Sequence, residues 1–341
     1  MENSSQVIER HRERLPAGRL VIVNPEPDEL FRRITSPDRT VSLSSASQAV
    51  FRKLQGIGAD VRFEACPDSS QPPDAAILVV PREKERRDML LHALSSSLAP
   101  ASRLWLVGEN RAGIKSSPKA VLRHFSRVEK LDSARHCTLF EASSAKAGSA
   151  FHLDEYQQQW TLDFAGKTLL LASLPGVFAH GRLDAGTALL LQTLQELAPA
   201  GKVLDFASGC GVVGLSVLAL DPGADVTLLD DSALAIESGK RSLALNGLSA
   251  SSLPSNGLAE LSGRFDWIIS NPPFHRGVRD DLGIAADFFR NAGTFLSEKG
   301  RILVVFNRHL PYAGWLRDQF KNVNCRAQNR EFAVIEASKP R

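Results

Sequence analysis

Residues 201–214 of this chain read Gly-Lys-Val-Leu-Asp-Phe-Ala-Ser-Gly-Cys-Gly-Val-Val-Gly. The apolar run that ends at Phe206 predicts a short buried strand, and the apolar run from Val212 predicts a helix. The glycines between them tolerate positive φ and allow the backbone to approach a ligand closely. The helix that follows presents free N–H groups and the positive end of its dipole. This order of elements predicts the first part of a nucleotide-binding βαβ unit.

A second predicted strand completes that unit about twenty residues later. It reads Val226-Thr-Leu-Leu-Asp230 and is followed by Asp231. An acid in this place is suited to accept hydrogen bonds from two ribose hydroxyls. We therefore expect the cofactor to contact the following residues: Asp205, Ala207, Gly209, Gly211, Asp230 and Asp231.

A dehydrogenase that binds a dinucleotide is the obvious competitor for this pattern. The turn reads Asp-x-Ala-x-Gly-x-Gly rather than Gly-x-Gly-x-x-Gly. Asp205 at the end of the first strand would also repel a pyrophosphate. The pattern therefore favours a different nucleotide cofactor.

A motif about sixty residues after the turn indicates which kind of reaction the site performs. Residues 268–274 read Ile-Ile-Ser-Asn-Pro-Pro-Phe. The prolines stiffen the backbone and end the strand. The Asn271 side-chain oxygen and a backbone carbonyl at Pro272 or Pro273 can accept the hydrogens of a planar amino group, and Phe274 offers a face for stacking a base. Asn-Pro is also common in ordinary turns, so this motif counts only in combination.

The two motifs converge because ligands bind at the carboxyl ends of the strands in an open parallel sheet. The combination predicts S-adenosylmethionine-dependent methylation of an exocyclic or amide nitrogen. Asn271 is then expected to lie near both the cofactor and the substrate.

Residues 174–187 precede a helix predicted at 188–198. One interpretation is a loop with a helix N-cap, in which Asp184 or Thr187 caps the helix. The other is a lid over the methyl donor, with Phe178 near the methionine arm or the target base. On the second interpretation, Phe178, Asp184 and Thr187 contact the cofactor.

The length and composition indicate a two-domain protein of the cytosol. The chain has 341 residues, of which 43% are hydrophobic and 23% charged, and this length predicts two domains. No apolar run reaches the roughly 18 residues of a membrane helix, and the N-terminus lacks an apolar signal region. The four cysteines show no Cys-x-x-Cys spacing, so we expect no metal site and a reducing compartment.

The net charge of +3 is unevenly distributed. Residues 1–150 carry 23 Lys and Arg against 18 Asp and Glu, and residues 151–341 carry 18 against 20. The window 111–135 alone holds seven basic and two acidic residues. Such a patch is expected for binding a phosphate backbone, with Arg111, Lys115 and Arg135 as candidates. A solvated helix face over 119–127 is the simpler alternative.

The first half repeats the α/β pattern of the second. Its predicted strands lie at 19–23, 60–65, 75–80 and 103–107, with helices near 44–56 and 83–98, which favours a parallel sheet. Prolines at 25 and 27 replace the glycine turn and cannot donate N–H bonds to a cofactor. We expect two tandem Rossmann-like domains, 1–150 and 151–341, with a linker in 142–150. The first is degenerate and the second is catalytic.

With these motifs the chain resembles a known family. The second half is similar to class I rRNA guanine-N2 methyltransferases in three segments: 176–187, 205–211 and 270–275. In the first half, residues 107–116 and 131–137 are similar to the ribosomal small-subunit methyltransferase C (RsmC) family. The resemblance implies methyl transfer from S-adenosylmethionine to N2 of one guanine in 16S rRNA within the small ribosomal subunit. It also implies two similar domains, of which only the second binds the cofactor; we expect a monomer.

Four positions depart from the family pattern. Ala207 replaces the first glycine of the turn, and Cys210 is interpreted as a packing residue. His275 is a candidate for RNA contact, and Arg276, where the family often has Asp, is a candidate for phosphate contact. The usual acid after the third strand is absent, so Asn256 is the candidate for bonding the adenine amino group.

Two further classes of protein stay open. Asn-Pro-Pro-aromatic also occurs in methyltransferases acting on DNA adenine, protein glutamine or other rRNA guanines. The basic first half favours a nucleic acid as substrate. The other class is a ribosome-assembly protein that binds RNA and in which methylation is secondary.

Overall fold

A computed structural model shows two compact units, Met1–Tyr156 and Gln157–Arg341. The structure describes residues 1–68, 70, 72–148, 150–272 and 279–341, the side chains of 279–284 excepted. Each unit is an α/β structure built on one seven-stranded sheet. The prediction of two tandem Rossmann-like domains is confirmed.

Unit 1 contains five α-helices and seven strands among the described residues. In chain order they are α1 (Asn3–Glu9), β1 (Gly18–Val23), α2 (Leu30–Ile34), β2 (Arg39–Ser45), α3 (Gln48–Gly56), β3 (Val61–Phe63), β4 (Ala75–Val79), α4 (Lys84–Ser97), β5 (Arg103–Glu109), α5 (Ser117–His124), β6 (Phe125–Ala134) and β7 (Cys137–Ala145).

The sheet of unit 1 has the strand order β3-β2-β1-β4-β5-β7-β6. Strands β1 to β5 pair in parallel, whereas β7 is antiparallel to both β5 and β6. The order reverses between β1 and β4, and that position is the topological switch point at which such sheets bind ligands.

Unit 2 contains the remaining five α-helices and nine strands of the described chain. They are β8 (Gln158–Phe164), β9 (Lys167–Ser173), α6 (Ala185–Leu197), β10 (Lys202–Phe206), α7 (Val212–Leu220), β11 (Asp225–Asp230), α8 (Ala233–Leu245), β12 (Ser251–Pro254), β13 (Phe265–Ser270), α9 (Arg279–Asn291), β14 (Leu296–Asn307), α10 (Tyr312–Gln319), β15 (Phe320–Gln328) and β16 (Phe332–Pro340).

The main sheet of unit 2 repeats the topology of unit 1. Its order is β12-β11-β10-β13-β14-β16-β15, and β8 and β9 form a separate hairpin. Like β7 in unit 1, β16 lies between two strands, β14 and β15, and is antiparallel to both. The switch point lies between β10 and β13, which pair in parallel.

The central strands are apolar because both faces of the sheet are covered. In β10, Val203, Leu204 and Phe206 are buried. The Phe206 ring lies 4.3 Å, centroid to centroid, from that of Phe288 in α9. Burying such side chains stabilises the unit by about 1.5–3 kcal/mol each. The packing holds the carboxyl end of β10 in a fixed position.

The structure corrects three of the predicted elements. The helix expected near 44–56 begins only at Gln48, because residues 44 and 45 end strand β2. The expected helix over 119–127 ends at His124, where β6 begins. The expected linker at 142–150 overlaps β7, which runs to Ala145. All three errors fall where one element meets the next, because the residues at such a boundary do not show the periodicity of either element.

Across the described residues, none of the helices combines the length and the apolar composition that a membrane span requires.

Candidate active site

The ends of three adjacent strands form the edge of the sheet where both sequence motifs lie. Phe206 is paired with Leu229 in β11 and with Ser270 in β13. The Ser270 hydroxyl donates to the Phe206 carbonyl at 2.7 Å, and the Ser208 N–H donates to the Leu229 carbonyl at 3.0 Å. The glycine turn therefore begins between the strand that ends at Asp230 and the strand that leads into Asn271.

The turn after β10 has three residues in the left-handed region. Ala207 has φ 57°, Gly209 has φ 55° and Gly211 has φ 85°. An alanine in this conformation costs roughly 1–2 kcal/mol relative to an unstrained one. Glycine avoids that cost, so it is favoured at this position. Alanine has the smallest side chain with a Cβ, so it is the replacement with the least additional steric conflict.

Glycine at position 211 is required by packing and by the backbone conformation. A Cβ at this position would lie 2.9 Å from the Leu215 Cδ1 and 3.2 Å from the Leu228 Cδ1. Gly211 is also the N-cap of α7. At Gly209, by contrast, a Cβ would approach only the Val177 Cγ1, at 3.8 Å. Of these two glycines, only Gly209 lines the pocket described below.

Asp205 is a buried carboxyl group behind the turn. It is 1% exposed, and its Oδ2 accepts a hydrogen bond from the Gly214 N–H at 2.8 Å. This bond satisfies a free N–H in the first turn of α7. Burial raises the pKa of Asp205 to about 7, against the lowering effect of that bond. A cation bound beside Asp205 would therefore favour its ionised form.

Asp230 holds the turn from the neighbouring strand. Its Oδ2 accepts from the Gly209 N–H at 2.9 Å, and its Oδ1 accepts from the Ser232 N–H at 2.9 Å. Burial raises the pKa of Asp230 to about 6. Each oxygen keeps a lone pair for a further donor such as a ribose hydroxyl. Asp231 follows it and is half-buried.

Asn271 comes directly after β13 and faces α6. Its Nδ2 donates to the Asp184 Oδ2 at 3.0 Å and to the Thr187 Oγ1 at 2.8 Å. Asp184 is the N-cap of α6 and accepts from the Thr187 N–H at 3.0 Å. The N-cap interpretation is thus correct for Asp184. Pro272, the next residue, is buried.

These residues surround a small pocket with a volume of about 40 Å³. The loop before α6, the turn after β10 and Asn271 form its walls. Its lining residues are Phe178, Ala179, Arg182, Leu183, Asp184, Thr187, Asp205, Ala207, Ser208, Gly209, Cys210, Val212, Val213 and Asn271. The pocket therefore brings together the following expected cofactor residues: Phe178, Asp184, Thr187, Asp205, Ala207, Gly209 and Asn271.

Phe178 is 44% exposed at the mouth of this pocket. The next residue, Ala179, has φ 51°, so the loop is strained beside the aromatic ring. Strained backbone of this kind is concentrated at ligand sites.

Asn256 lines a different concavity, with a volume of about 570 Å³. It follows β12, and the Ser255 N–H donates to the Asp230 carbonyl at 3.0 Å. Asn256 is exposed, and its backbone N–H donates to the Glu260 Oε2 at 2.8 Å. The candidate for the adenine amino group is therefore separated from the first pocket, on the far side of Asp230.

Four predicted residues lie outside the described part of the chain: Pro273, Phe274, His275 and Arg276. Their predicted roles in substrate contact stay predictions.

The sequence reasoning missed Ser208 and Arg182. The Ser208 hydroxyl is buried and has no hydrogen-bond partner among the described residues, and Ser208 lines the pocket. Arg182 is exposed at the pocket wall. In the sequence, the one indication that these residues line the pocket is their position: Ser208 lies inside the glycine turn and Arg182 inside the loop before α6.

Cys210 fits its interpretation as a packing residue. It is 4% exposed, and burial raises the pKa of its thiol to about 12, so it carries no thiolate at neutral pH. Within the described residues, the His, Cys, Asp and Glu side chains form no group that could hold a metal ion.

In unit 1 the predicted RNA-binding residues lie at the carboxyl edge of the sheet. Arg111 follows β5, and Arg135 lies in the turn between β6 and β7. The Asn110 N–H donates to the His136 carbonyl at 2.8 Å, which brings these two segments together. Lys115 lies in the next helical turn, and all three cationic side chains are exposed.

The switch point of unit 1 is filled by its own side chains. Asn24, with φ 56°, follows β1, and its Nδ2 donates to the Val79 carbonyl at 2.9 Å. Arg86 donates to the Asn24 Oδ1 at 3.0 Å. These bonds bridge β1 and β4 where unit 2 has its glycine turn.

Comparisons with known proteins match both units. Residues 168–336 match the Methyltransferase small domain family, and residues 5–160 match the Methyltransferase small domain N-terminal family. A protein of Pseudoalteromonas atlantica, ribosomal RNA small subunit methyltransferase C, is 36% identical over 97% of each chain. Its namesake in Pseudomonas fluorescens is 37% identical over 99% of this chain and 100% of that protein.

A solved structure has the same fold over nearly the whole chain. It is the T. thermophilus 16S rRNA N2 G1207 methyltransferase (RsmC) in complex with AdoMet and guanosine. The TM-score is 0.83 at 24% identity, and the match covers 98% of this chain and 92% of that one.

Proposed function

The chain belongs to the ribosomal RNA small subunit methyltransferase C family, and we therefore propose that it transfers a methyl group from S-adenosylmethionine to N2 of a guanine in 16S rRNA. The relative of known structure acts on G1207, and we propose the corresponding guanine as the target here. Unit 2 is the catalytic unit and unit 1 the RNA-binding unit.

One observation carries the proposal: Asn271 lines the same pocket as the glycine turn. A carboxamide beside a nucleotide-binding turn places an acceptor for an amino group next to a methyl donor. A dehydrogenase that binds a dinucleotide does not require a carboxamide in this position.

The pocket suits S-adenosylmethionine in charge and in hydrogen bonding. The cofactor carries a sulfonium and an ammonium group, and the carboxyl group of Asp205 is among the lining residues. The unpartnered Ser208 hydroxyl can bond the methionine end. Asp230 keeps lone pairs for the ribose hydroxyls, and Asn256 lies beyond it, where we place the adenine.

The reaction needs placement more than acid–base chemistry. Bound S-adenosylmethionine supplies a methyl group on an already activated sulfur. The N2 lone pair forms the new N–C bond as the S–C bond breaks, and N2 then loses a proton to water. Asn271 Oδ1 and a proline carbonyl accept hydrogen bonds from the amino group, which orients its lone pair and stabilises the developing positive charge.

Unit 1 is proposed to bind the RNA backbone. Arg111, Lys115 and Arg135 at one edge of its sheet form no ion pair among the described side chains, so they are available to phosphates. The hydrogen bond from Asn24 to the Val79 carbonyl connects β1 and β4, and Arg86 binds the same Asn24 side chain. These bonds support the proposal that this unit carries no cofactor.

We also infer that one chain forms a complete active site and acts in the cytoplasm, where its proposed substrate is assembled. Asp184, Asp205, Asp230 and Asn271 all come from one unit, so a second copy is not needed. Sedimentation equilibrium tests this inference.

The decisive experiment is methyl transfer from labelled S-adenosylmethionine. The acceptors are unmethylated small subunits, large subunits, naked rRNA, DNA and protein, and the products are digested for nucleoside mass spectrometry. We expect N2-methylguanosine with small subunits. Label in N6-methyladenine, in glutamine or in large-subunit RNA would contradict the proposed substrate.

A further inference from the structure

Two side chains at the N-terminal end of α6 accept hydrogen bonds from the side-chain amide of Asn271. Its Nδ2 lies 3.0 Å from the Asp184 Oδ2 and 2.8 Å from the Thr187 Oγ1. An amide nitrogen carries two hydrogens, and two acceptors are in place for them. Both amide hydrogens are therefore engaged within the protein.

The chemistry of the partners decides which end of the amide faces α6. An ionised carboxylate can only accept a hydrogen bond. The Thr187 hydroxyl lies 3.5 Å from the same Asp184 oxygen and directs its own hydrogen there, which leaves its lone pairs for Asn271. A flipped amide would place Oδ1 against a carboxylate oxygen at 3.0 Å, a repulsive contact. Only one orientation is compatible with these neighbours.

We propose that Asp184 and Thr187 are positioning residues that direct the Asn271 Oδ1 towards the substrate amino group. The inference rests on the proposed function. It assigns these two residues to the orientation of the acceptor, whereas the sequence had suggested cofactor contact for both.

The start of α6 is built to keep this arrangement rigid. Asp184 is the N-cap and accepts from the Thr187 N–H at 3.0 Å, and Thr187 is only 7% exposed. Between them, a Cβ on Gly186 would lie 3.1 Å from the Asp184 Oδ2 and 3.1 Å from the Phe332 ring. Glycine therefore lets the carboxylate and the hydroxyl approach Asn271 together. This geometry explains why the residues at 184–187 follow the pattern Asp-x-Gly-Thr.

The carboxylate also changes the acceptor itself. A charge-assisted hydrogen bond to the amide nitrogen is stronger than a neutral one. Hydrogen bonds in a chain polarise one another, so electron density shifts towards Oδ1. Oδ1 becomes a better acceptor as positive charge develops on the guanine N2.

The first test compares Thr187→Ser with Thr187→Val. Serine keeps the hydroxyl and loses the methyl group, whereas valine keeps the shape and loses the hydroxyl. If Thr187 orients Asn271, we expect the valine variant to lose on the order of 10- to 100-fold in kcat, with the serine variant near wild type. A role in packing alone predicts the opposite order and overturns the proposal.

The second test separates the N-cap from the positioning role of Asp184. Asn and Ser both cap helices nearly as well as Asp, but Asn keeps an acceptor oxygen within reach of Asn271 and Ser does not. We expect kcat to fall in the order wild type, Asp184→Asn, Asp184→Ser, with similar melting temperatures. Equal kcat values in all three, or loss confined to S-adenosylmethionine affinity, would overturn the proposal.

A double-mutant cycle gives the strictest measurement. If Thr187 acts through Asn271, Thr187→Val should cost nothing further in an Asn271→Ala background, measured in single turnovers with labelled cofactor. Additive losses contradict the proposed linkage. Failure of the proposed function itself is distinguishable, because then the wild-type enzyme forms no N2-methylguanosine.

Discussion

At the scale of single residues, the candidate active site contains two carboxyl groups that are partly protonated near pH 7. Asp205 has a pKa of about 7 and Asp230 of about 6, both raised by burial. A raised pKa means that the folded protein binds protons between pH 4 and 7 that the unfolded chain does not. These two groups therefore favour the cofactor-free fold most at low pH, and that contribution is lost as the pH rises through 6 and 7.

This titration predicts a pH-dependent cofactor affinity. A cationic ligand binds better when Asp205 is ionised, so the Kd for S-adenosylmethionine should be about tenfold weaker at pH 6 than at pH 8. Isothermal titration calorimetry at both pH values measures the difference. In the Asp205→Asn variant the affinity should be weaker and its dependence on pH flatter. An unchanged pH dependence in that variant would assign the effect to another group.

Substitutions at Asn271 and Asp230 should separate chemistry from cofactor binding. Asn271→Ala removes the proposed acceptor, and we expect methyl transfer to fall about 10²–10³-fold, with the Kd for S-adenosylmethionine within about threefold of wild type. Asp230→Ala removes the carboxylate that holds Gly209, so its main effect should be on cofactor affinity. Cofactor binding that collapses in Asn271→Ala would contradict this division of roles.

At the scale of elements, the packing of α7 against β11 holds the glycine turn in place. A Cβ on Gly214 would collide with the Leu228 Cδ2 and lie 3.2 Å from the Val226 Cγ1. The helix can therefore approach the sheet closely enough for the Gly214 N–H to reach Asp205.

The close approach of α7 predicts opposite effects for two glycine substitutions in helices. Gly214→Ala overfills the interface and should lower the free energy of unfolding by about 1–3 kcal/mol. Gly314 in α10 has open space around it, so Gly314→Ala should raise stability by about 0.5–1 kcal/mol. Denaturant unfolding of both variants measures the pair. Equal effects would show that helix propensity, not packing, governs Gly214.

The antiparallel strand inside each sheet could not be predicted from the sequence. Strands β6 and β7 and strands β15 and β16 are joined locally, but β7 and β16 each insert antiparallel beside β5 and β14. Hydrophobic periodicity indicates a strand and its buried face, but it contains no information about the neighbour with which the strand pairs.

At the scale of the whole molecule, the two units share one topology and differ in what occupies the switch point. Unit 2 has its glycine turn where β10 and β13 end, and unit 1 has the Asn24–Val79 hydrogen bond between β1 and β4, with Arg86 bound to Asn24. The same fold can thus be the scaffold for the proposed methyl transfer in one unit and for the proposed RNA binding in the other.

The charge of unit 1 predicts how the protein binds its substrate. Replacing Arg111, Lys115 and Arg135 together by Gln should weaken binding to small subunits. The slope of log K against log salt should become shallower by about 1 for each phosphate that these side chains neutralise. Filter binding at several salt concentrations measures both effects. The Kd for S-adenosylmethionine should be unchanged. A matched substitution of Lys299 and Lys321 in unit 2 is the control and should leave the slope unaltered.

The sequence alone determined the parts of this protein that depend on near neighbours in the chain. The apolar strands, the positive φ at Gly209 and Gly211 and the break at Asn271-Pro272 are local consequences of side-chain size and backbone restriction. Only the tertiary structure decided that Asp184 and Thr187 hold Asn271, across more than 80 residues, and that Asp205 is half neutral near pH 7. Both depend on which groups are buried together, and burial is a property of the assembled fold.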